Sequence, residues 1–241
     1  FSEEGVQEVS NGSFSQEGVE LITNGDFDTD TNWVKQTGWS ISSGTANCDG
    51  ANGSLFQNGV VEIGKSYLCE FEIKSITSGS VAINAGGNTT GVSRTSVGTY
   101  SEILQVSSGS NNRAYIISQG FNGSIDNVSF KEVGQDWTLQ TGWSIAEDKA
   151  TCDGTDIAQI YQINVLTQNK TYKVTYTITS YVSGSVKAKL GDNIFGADNS
   201  ANGTYTEYIY FNQANLNFHF RSNNFIGSIT NISVKEVGQN W

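Results

Sequence analysis

The chain has 241 residues with no Pro, no Met, 27 Gly, 15% charged residues and a formal net charge of −11. Its aromatic content and sparse charge exclude a disordered chain, and no run of about 18 apolar residues offers a membrane-spanning helix. The acidic balance opposes the counterion release by which proteins hold nucleic acid, so neither nucleic acid nor a membrane is expected as a partner; strongly anionic glycans are disfavoured unless a local basic patch overrides the charge.

Stretches of Ser, Thr, Asn and Gly alternating with Val, Ile, Tyr and Phe predict strands joined by tight turns, an all-β chain. One stretch recurs. Asn32-Trp33 followed by Thr37-Gly38-Trp39-Ser40-Ile41 returns as Asp136-Trp137 followed by Thr141-Gly142-Trp143-Ser144-Ile145, and Trp33, Trp137 and Trp241 are spaced at 104 residues. A period of that size gives each repeat enough chain for one hydrophobic core. The expected organisation is a strand-like segment over 1–18, a first β-sandwich repeat over 19–133 and a second over 134–241, with a third copy starting at Trp241. The chain opens at Phe1 without Met or an apolar leader, which we read as a processed product or a piece of a longer chain.

The first 28 residues carry a smaller duplication. Glu4-Gly5-Val6 with Asn11-Gly12-Ser13-Phe14 is followed thirteen positions later by Glu17-Gly18-Val19 with Asn24-Gly25-Asp26-Phe27. The copy from Val19 to Phe27 supplies the first strand of repeat one. The earlier copy is left spare, a strand able to pair with a neighbouring unit or chain, while repeat two has no Asn-Gly-x-Phe strand inside its own span.

From Trp39 a period of two around Ser42-Ser43-Gly44 predicts a hairpin ending at Asp49-Gly50, with Trp143, Ile145, Ala150 and Cys152 repeating it. In the next strands Tyr67, Cys69, Phe71 and Ile73, and likewise Tyr172, Val174, Tyr176 and Ile178, face inward. Ser78-Gly79-Ser80-Val81 and Ser183-Gly184-Ser185-Val186 read as turns opening new strands. Each repeat closes on a Phe-x-Gly-Ser-Ile segment, at Phe121 and Phe225. About eight strands per repeat predict two tandem antiparallel β-sandwich, or jelly-roll, domains. Trp33, Trp39, Trp137 and Trp143 belong to the cores.

Cys48 and Cys152 are repeat equivalents, whereas Cys69 falls where repeat two has Val174, so cysteine acts as a small buried hydrophobe; a Cys48–Cys69 bridge is the alternative. No Gly-x-Ser-x-Gly elbow or phosphate loop occurs. Glu102 and Glu207, the one acid pair at matched strand positions, lie in different repeats, so no enzyme is expected.

The opening Asn24-Gly25-Asp26-Phe27-Asp28 with Trp33 and Gly38-Trp39, and the closing Ile125-Asp126-Asn127-Val128-Ser129, resemble the jelly-roll carbohydrate-binding modules of the cellulose- and xylan-binding kind. The tandem form, with Cys-Asp-Gly and Lys-Glu-Val-Gly-Gln, is similar to repeats of bacteriophage structural or appendage proteins. The first resemblance implies non-catalytic binding of a polysaccharide or cell-surface glycan. It also implies a structural Ca2+ at Asp28 and Asp126 in repeat one only, because Thr230 replaces the second Asp in repeat two. The other implies a virion or extracellular appendage whose aromatic faces are contacts with neighbouring repeats or subunits. Either places the chain outside the cell or on a virion surface.

A sugar site pairs an exposed aromatic with planar polar groups that bond hydroxyls. Tyr208 and Tyr210 fall on the outward side of their strand, as do His219 and Arg221 on the next. A hairpin would gather these four, with Lys187 and Lys189 nearby. Repeat one offers Arg113 and Tyr115, a poorer platform. The alternative for Tyr208 and Tyr210 is packing against a neighbouring unit. His219, the one His in the chain, is expected as a polar surface partner, since one His supplies neither a zinc set nor a triad.

Overall fold

The computed structural model describes residues 4–107 and 109–238, so the third-copy start expected at Trp241 lies outside the described residues. Two short strands come first, β1 (Glu4–Gln7) and β2 (Glu17–Glu20). Eight follow in repeat one: β3 (Val34–Lys35), β4 (Trp39–Ser42), β5 (Thr45–Asp49), β6 (Ser54–Gln57), β7 (Ser66–Ala85), β8 (Thr89–Thr90), β9 (Gly98–Gln105) and β10 (Ala114–Val133). Repeat two matches them with β11 (Thr138–Leu139), β12 (Trp143–Ala146), β13 (Lys149–Asp153), β14 (Gln159–Gln162), β15 (Lys170–Leu190), β16 (Ile194–Phe195), β17 (Gly203–Phe211) and β18 (Phe218–Val237). No helix occurs among the described residues, and the chain forms two β-sandwich units.

The long strands differ from expectation. Ser78-Gly79-Ser80 does not end a strand: β7 continues through it, with the register against β10 slipping between Gln119 and Gly120. The reason is local. Gly79 has φ of +73°, and a Cβ there would lie 2.0 Å from the Gly120 carbonyl oxygen, so a glycine bulge bends the strand pair without breaking it. Gly184 does the same in β15, 2.0 Å from the Asn224 carbonyl oxygen. Each long strand thus serves both layers, and its two halves face one another across the core. In repeat one, Tyr67, Phe71 and Ile73 from the first half of β7 join Val81, Ile83 and Ala85 from the second in one buried cluster. In repeat two, Tyr176 meets Phe220 edge-to-face at 4.6 Å. All four tryptophans assigned to the cores are buried, and Cys48, Cys69 and Cys152 are buried free thiols, so the Cys48–Cys69 bridge does not form.

The N-terminal duplication supplies each repeat with its own first strand. The compact units are Glu17–Val133 and, separately, residues up to Gln16 together with those from Gly134 on. The copy read as spare completes repeat two: β1 pairs antiparallel with β18, as β2 pairs with β10. The two locks match atom for atom. Trp137 Nε1 donates to the Asn11 carbonyl at 3.0 Å, and Trp33 Nε1 to that of Asn24 at 2.8 Å. Gln162 Nε2 donates to the Ser10 carbonyl at 2.7 Å, and Gln57 Nε2 to that of Thr23 at 2.6 Å. Phe14 packs on Trp137 and Phe27 on Trp33, with ring centroids 5.4 and 5.3 Å apart.

Candidate functional site

In the second half of β15 the alternation buries Val186, Ala188 and Leu190 and turns Lys187 and Lys189 outward; in β18, Phe218 and Phe220 go in while His219 and Arg221 lie on the outer side. Strand register joins these side chains into two neighbouring rows. One runs Thr138, Tyr161, His219, Lys189, Phe195 across β11, β14, β18, β15 and β16. The other runs Gln159, Arg221, Lys187. This face is the candidate site.

Phe195 is 41% exposed, with Lys187 Nζ at 5.4 Å and Arg221 Cζ at 5.7 Å from its ring centroid. Lys187 Nζ donates to Asp198 Oδ2 at 2.8 Å, and Lys189 Nζ to Gln159 Oε1 at 3.1 Å. Tyr161 lies over His219 at 5.1 Å between centroids. His219 is not the polar surface partner expected: it is 7% exposed, and neither ring nitrogen has a hydrogen-bond partner among the described residues. Burial, assisted by the positive charge of Lys189, pushes its pKa down to about 4, so the imidazole is neutral near pH 7. Burial likewise holds the Lys189 ammonium below the ordinary lysine range, with Arg221 adding to that and Asp192 opposing it.

The structure gathers Lys187, Lys189, His219 and Arg221 but not Tyr208 and Tyr210. β17 does not form a hairpin with β18; it pairs with the first half of β15, setting Tyr208 opposite Lys173 and Tyr210 opposite Thr171. Because the two halves of β15 face each other across the core, the tyrosines lie on the opposite outer face. They are 61% and 55% exposed. Sequence reasoning passed over Tyr161, Gln159 and Phe195. The last sits in a strand of two residues, too short to show a period, and Gln159–Gln162 gave no apolar alternation because its inward positions are Ile160 and a buried Gln162.

The equivalent rows of repeat one read Val34, Phe56, Tyr115, Asn84, Thr90 and Ser54, Ile117, Ala82. Arg113 covers this face instead of extending it: its guanidinium carbon is 4.7 Å from the centroid of the Phe56 ring, with Nε donating to Asn58 Oδ1 at 2.8 Å.

The carboxylates assigned to Ca2+ are Asp28 and Asp126. Asp126 accepts from the Asn127 amide at 2.8 Å and has Lys74 Nζ at 3.9 Å, while the Asp28 amide points to Asp26 Oδ1 at 3.4 Å. Among the described residues no three His, Cys, Asp or Glu gather as a metal site. Glu102 and Glu207 are engaged in bracing loops, accepting from the amides of Val92 at 2.9 Å and Ala197 at 2.7 Å.

No protein-family model and no curated protein matches the chain. Among solved structures it is similar to the tandem CBM22 pair at the N-terminus of Xyn10C from Paenibacillus barcinonensis, at 8% identity and TM-score 0.36, over 92% of this chain and 99% of that one. It is also similar to an allantoicase at 7% identity and TM-score 0.35, over 92% and 90%. The allantoicase of Saccharomyces cerevisiae matches at 10% identity and TM-score 0.36, over 96% and 93%. Likeness at this level carries no inference about activity.

Proposed function

We propose that the chain is a non-catalytic, extracellular module that binds polysaccharide through the outer face formed by β14, β18, β15 and β16 of repeat two. The observation that supports it is the convergence on one sheet face of an exposed ring, Phe195, with a half-buried Tyr161 and the planar polar groups of Gln159 and Arg221. An aromatic face takes the C–H side of a sugar ring, and amide and guanidinium groups take its hydroxyls. The carboxylates best placed for acid–base work, Glu102 and Glu207, are bound to backbone amides. A glycan array and affinity electrophoresis test this reading. Phe195→Ala is expected to lower affinity about tenfold, in line with loss of a stacking platform, without changing Tm by more than about 1 °C. Unaltered retention by the variant would refute the site.

A second reading, a structural repeat of a phage virion or an appendage, draws on Tyr208 and Tyr210, which are exposed on the other layer beside the Lys173–Glu4 ion pair. Exposed aromatics of this kind serve subunit contacts as readily as ligands. Tyr208→Ala with Tyr210→Ala would dissociate an oligomer under this reading and leave glycan retention intact under the first; size-exclusion chromatography separates the two.

A further inference from the structure

The chain has thirteen Lys and Arg against twenty-four Asp and Glu, and all thirteen lie among the described residues. Ten are ion-paired with a carboxylate. That leaves Arg113, Lys189 and Arg221. Arg113 is spent on Asn58 and Tyr115. Lys189 and Arg221 sit together on the outer face of repeat two, where among the described residues Lys189 donates to the neutral Gln159 and Arg221 lies by the Phe195 ring. The nearby acids act on these cations only at longer range, and their direct contacts go elsewhere: Asp198 accepts from Lys187 at 2.8 Å and Ser185 at 2.9 Å, and Asp192 accepts from Asn215 at 2.7 Å.

In a protein with nearly two acids for every base, two adjacent half-buried cations that touch no carboxylate among the described residues are out of place, because partly desolvated charge is ordinarily in direct contact with its counterion. A guanidinium presents a planar fork suited to a two-oxygen anion, and an ammonium beside it adds a point charge. His219 lies beside Lys189 and against Tyr161, with both ring nitrogens buried and, among the described residues, unpartnered. The overall charge of −11 does not forbid an anion here. At 0.1 M salt the Debye length is about 10 Å, so distant carboxylates are screened while the contacting cations are not.

Resting on the glycan-binding reading, we infer that this face selects polysaccharides whose sugars carry anionic oxygen groups, carboxylate or sulfate, held by Arg221 and Lys189 beside the Phe195 ring. Repeat one, with Ile117 and Asn84 at the matching positions, lacks that selectivity.

The test is affinity electrophoresis of the full chain on matched polymers: polygalacturonate against its methyl ester, and dextran sulfate against dextran. At least one acidic polymer is expected to bind about tenfold or more tightly than its neutral partner, the scale of hydrogen bonds to charged groups, and the pair with the larger ratio identifies the anion. Lys189→Gln should sharply reduce the ratio and leave retention by neutral polymers unchanged, whereas Arg221→Gln should reduce the ratio and weaken neutral retention as well, with Tm verifying the fold. Equal retention of both members of each pair, or a ratio that survives both substitutions, overturns the inference while the glycan reading stands. Failure to bind any polymer on a broad neutral and acidic panel overturns both.

Discussion

The two repeats share their locks and differ on their outer faces. Trp33 and Trp137, Gln57 and Gln162, and Gly25 and Gly12 make the same contacts in each unit. Across the matching rows of the outer face, however, Thr90, Asn84, Tyr115, Ile117 and Ala82 in repeat one stand where repeat two has Phe195, Lys189, His219, Arg221 and Lys187. Inward positions answer to packing against the opposite layer, so a change there leaves a cavity or a clash. Outward positions do not face the opposite layer. One scaffold therefore carries two surfaces, and chemistry accumulates where packing does not constrain it.

The shared lock can be broken in one unit at a time. Removing residues 1–16 takes the buried Val9 and Phe14 from repeat two and strands Gln162 and the Trp137 indole N–H without acceptors. Two buried apolar side chains and two orphaned polar groups together amount to about 5 kcal/mol or more. Calorimetry should show repeat two unfolding far below its normal temperature, with the repeat-one transition in place, and a peptide spanning residues 4–14 should restore it. A smaller break is Gly12→Ala, whose Cβ would lie 2.0 Å from the Ile232 carbonyl oxygen, matched by Gly25→Ala against Val128 at the same distance. Each is expected to cost about 3 kcal/mol in its own repeat and nothing in the other. Destabilisation of both transitions by either substitution would mean that the units are not independently locked.

The sequence shows the parts of this fold that repeat. The 104-residue spacing of the tryptophans, the inward sets from Tyr67 to Ile73 and from Tyr172 to Ile178, and the thirteen-residue duplication could all be read before any contact was known, because burial on one side of a strand imposes a period of two. The partner of the first copy could not, since a strand's pairing is decided by distant residues such as Gln162, Trp137 and Ile232. The site was half legible for the same reason. Alternation placed His219, Arg221, Lys187 and Lys189 outward, but it does not say which layer a strand joins, and β17 joins the layer opposite to theirs. Glycine bulges hid the continuity of β7 and β15, because Ser-Gly-Ser has the same composition as a turn.

The outer-face difference also predicts a pH response confined to repeat two. The folded pKa of His219 is near 4, below its ordinary value of 6.5, with Tyr161, Lys189 and Asp192 as its surroundings. Between those values the unfolded chain binds a proton that the folded chain refuses, so the stability of repeat two is fully present above about pH 6.5 and falls as the pH drops toward 4. The expected loss is roughly 2 kcal/mol. His219→Tyr, which installs the residue found at Tyr115, should flatten that part of the profile in urea titrations at pH 7 and pH 4.5. A profile unaltered by the substitution would mean that His219 is not the group responsible.

The smallest expected effect concerns the carboxylates at the closing strand, where the repeats again differ. Thr230 in repeat two donates to the Asp148 carbonyl at 2.8 Å, so its side chain is satisfied within the fold. Asp126 in repeat one has Lys74 at 3.9 Å, shared with Glu72 at 3.3 Å, and the Asn127 amide at 2.8 Å. An ion bound only to the folded state would raise stability by RT ln(1 + [L]/Kd), about 2.7 kcal/mol at a hundredfold excess over Kd. With Lys74 Nζ 3.9 Å from the Asp126 carboxylate, EGTA is expected to shift the repeat-one transition by less than about 1 °C. A drop of several degrees, reversed by Ca2+ and abolished by Asp126→Asn, would instead give repeat one the ion and add a second chemical difference between two otherwise matched units.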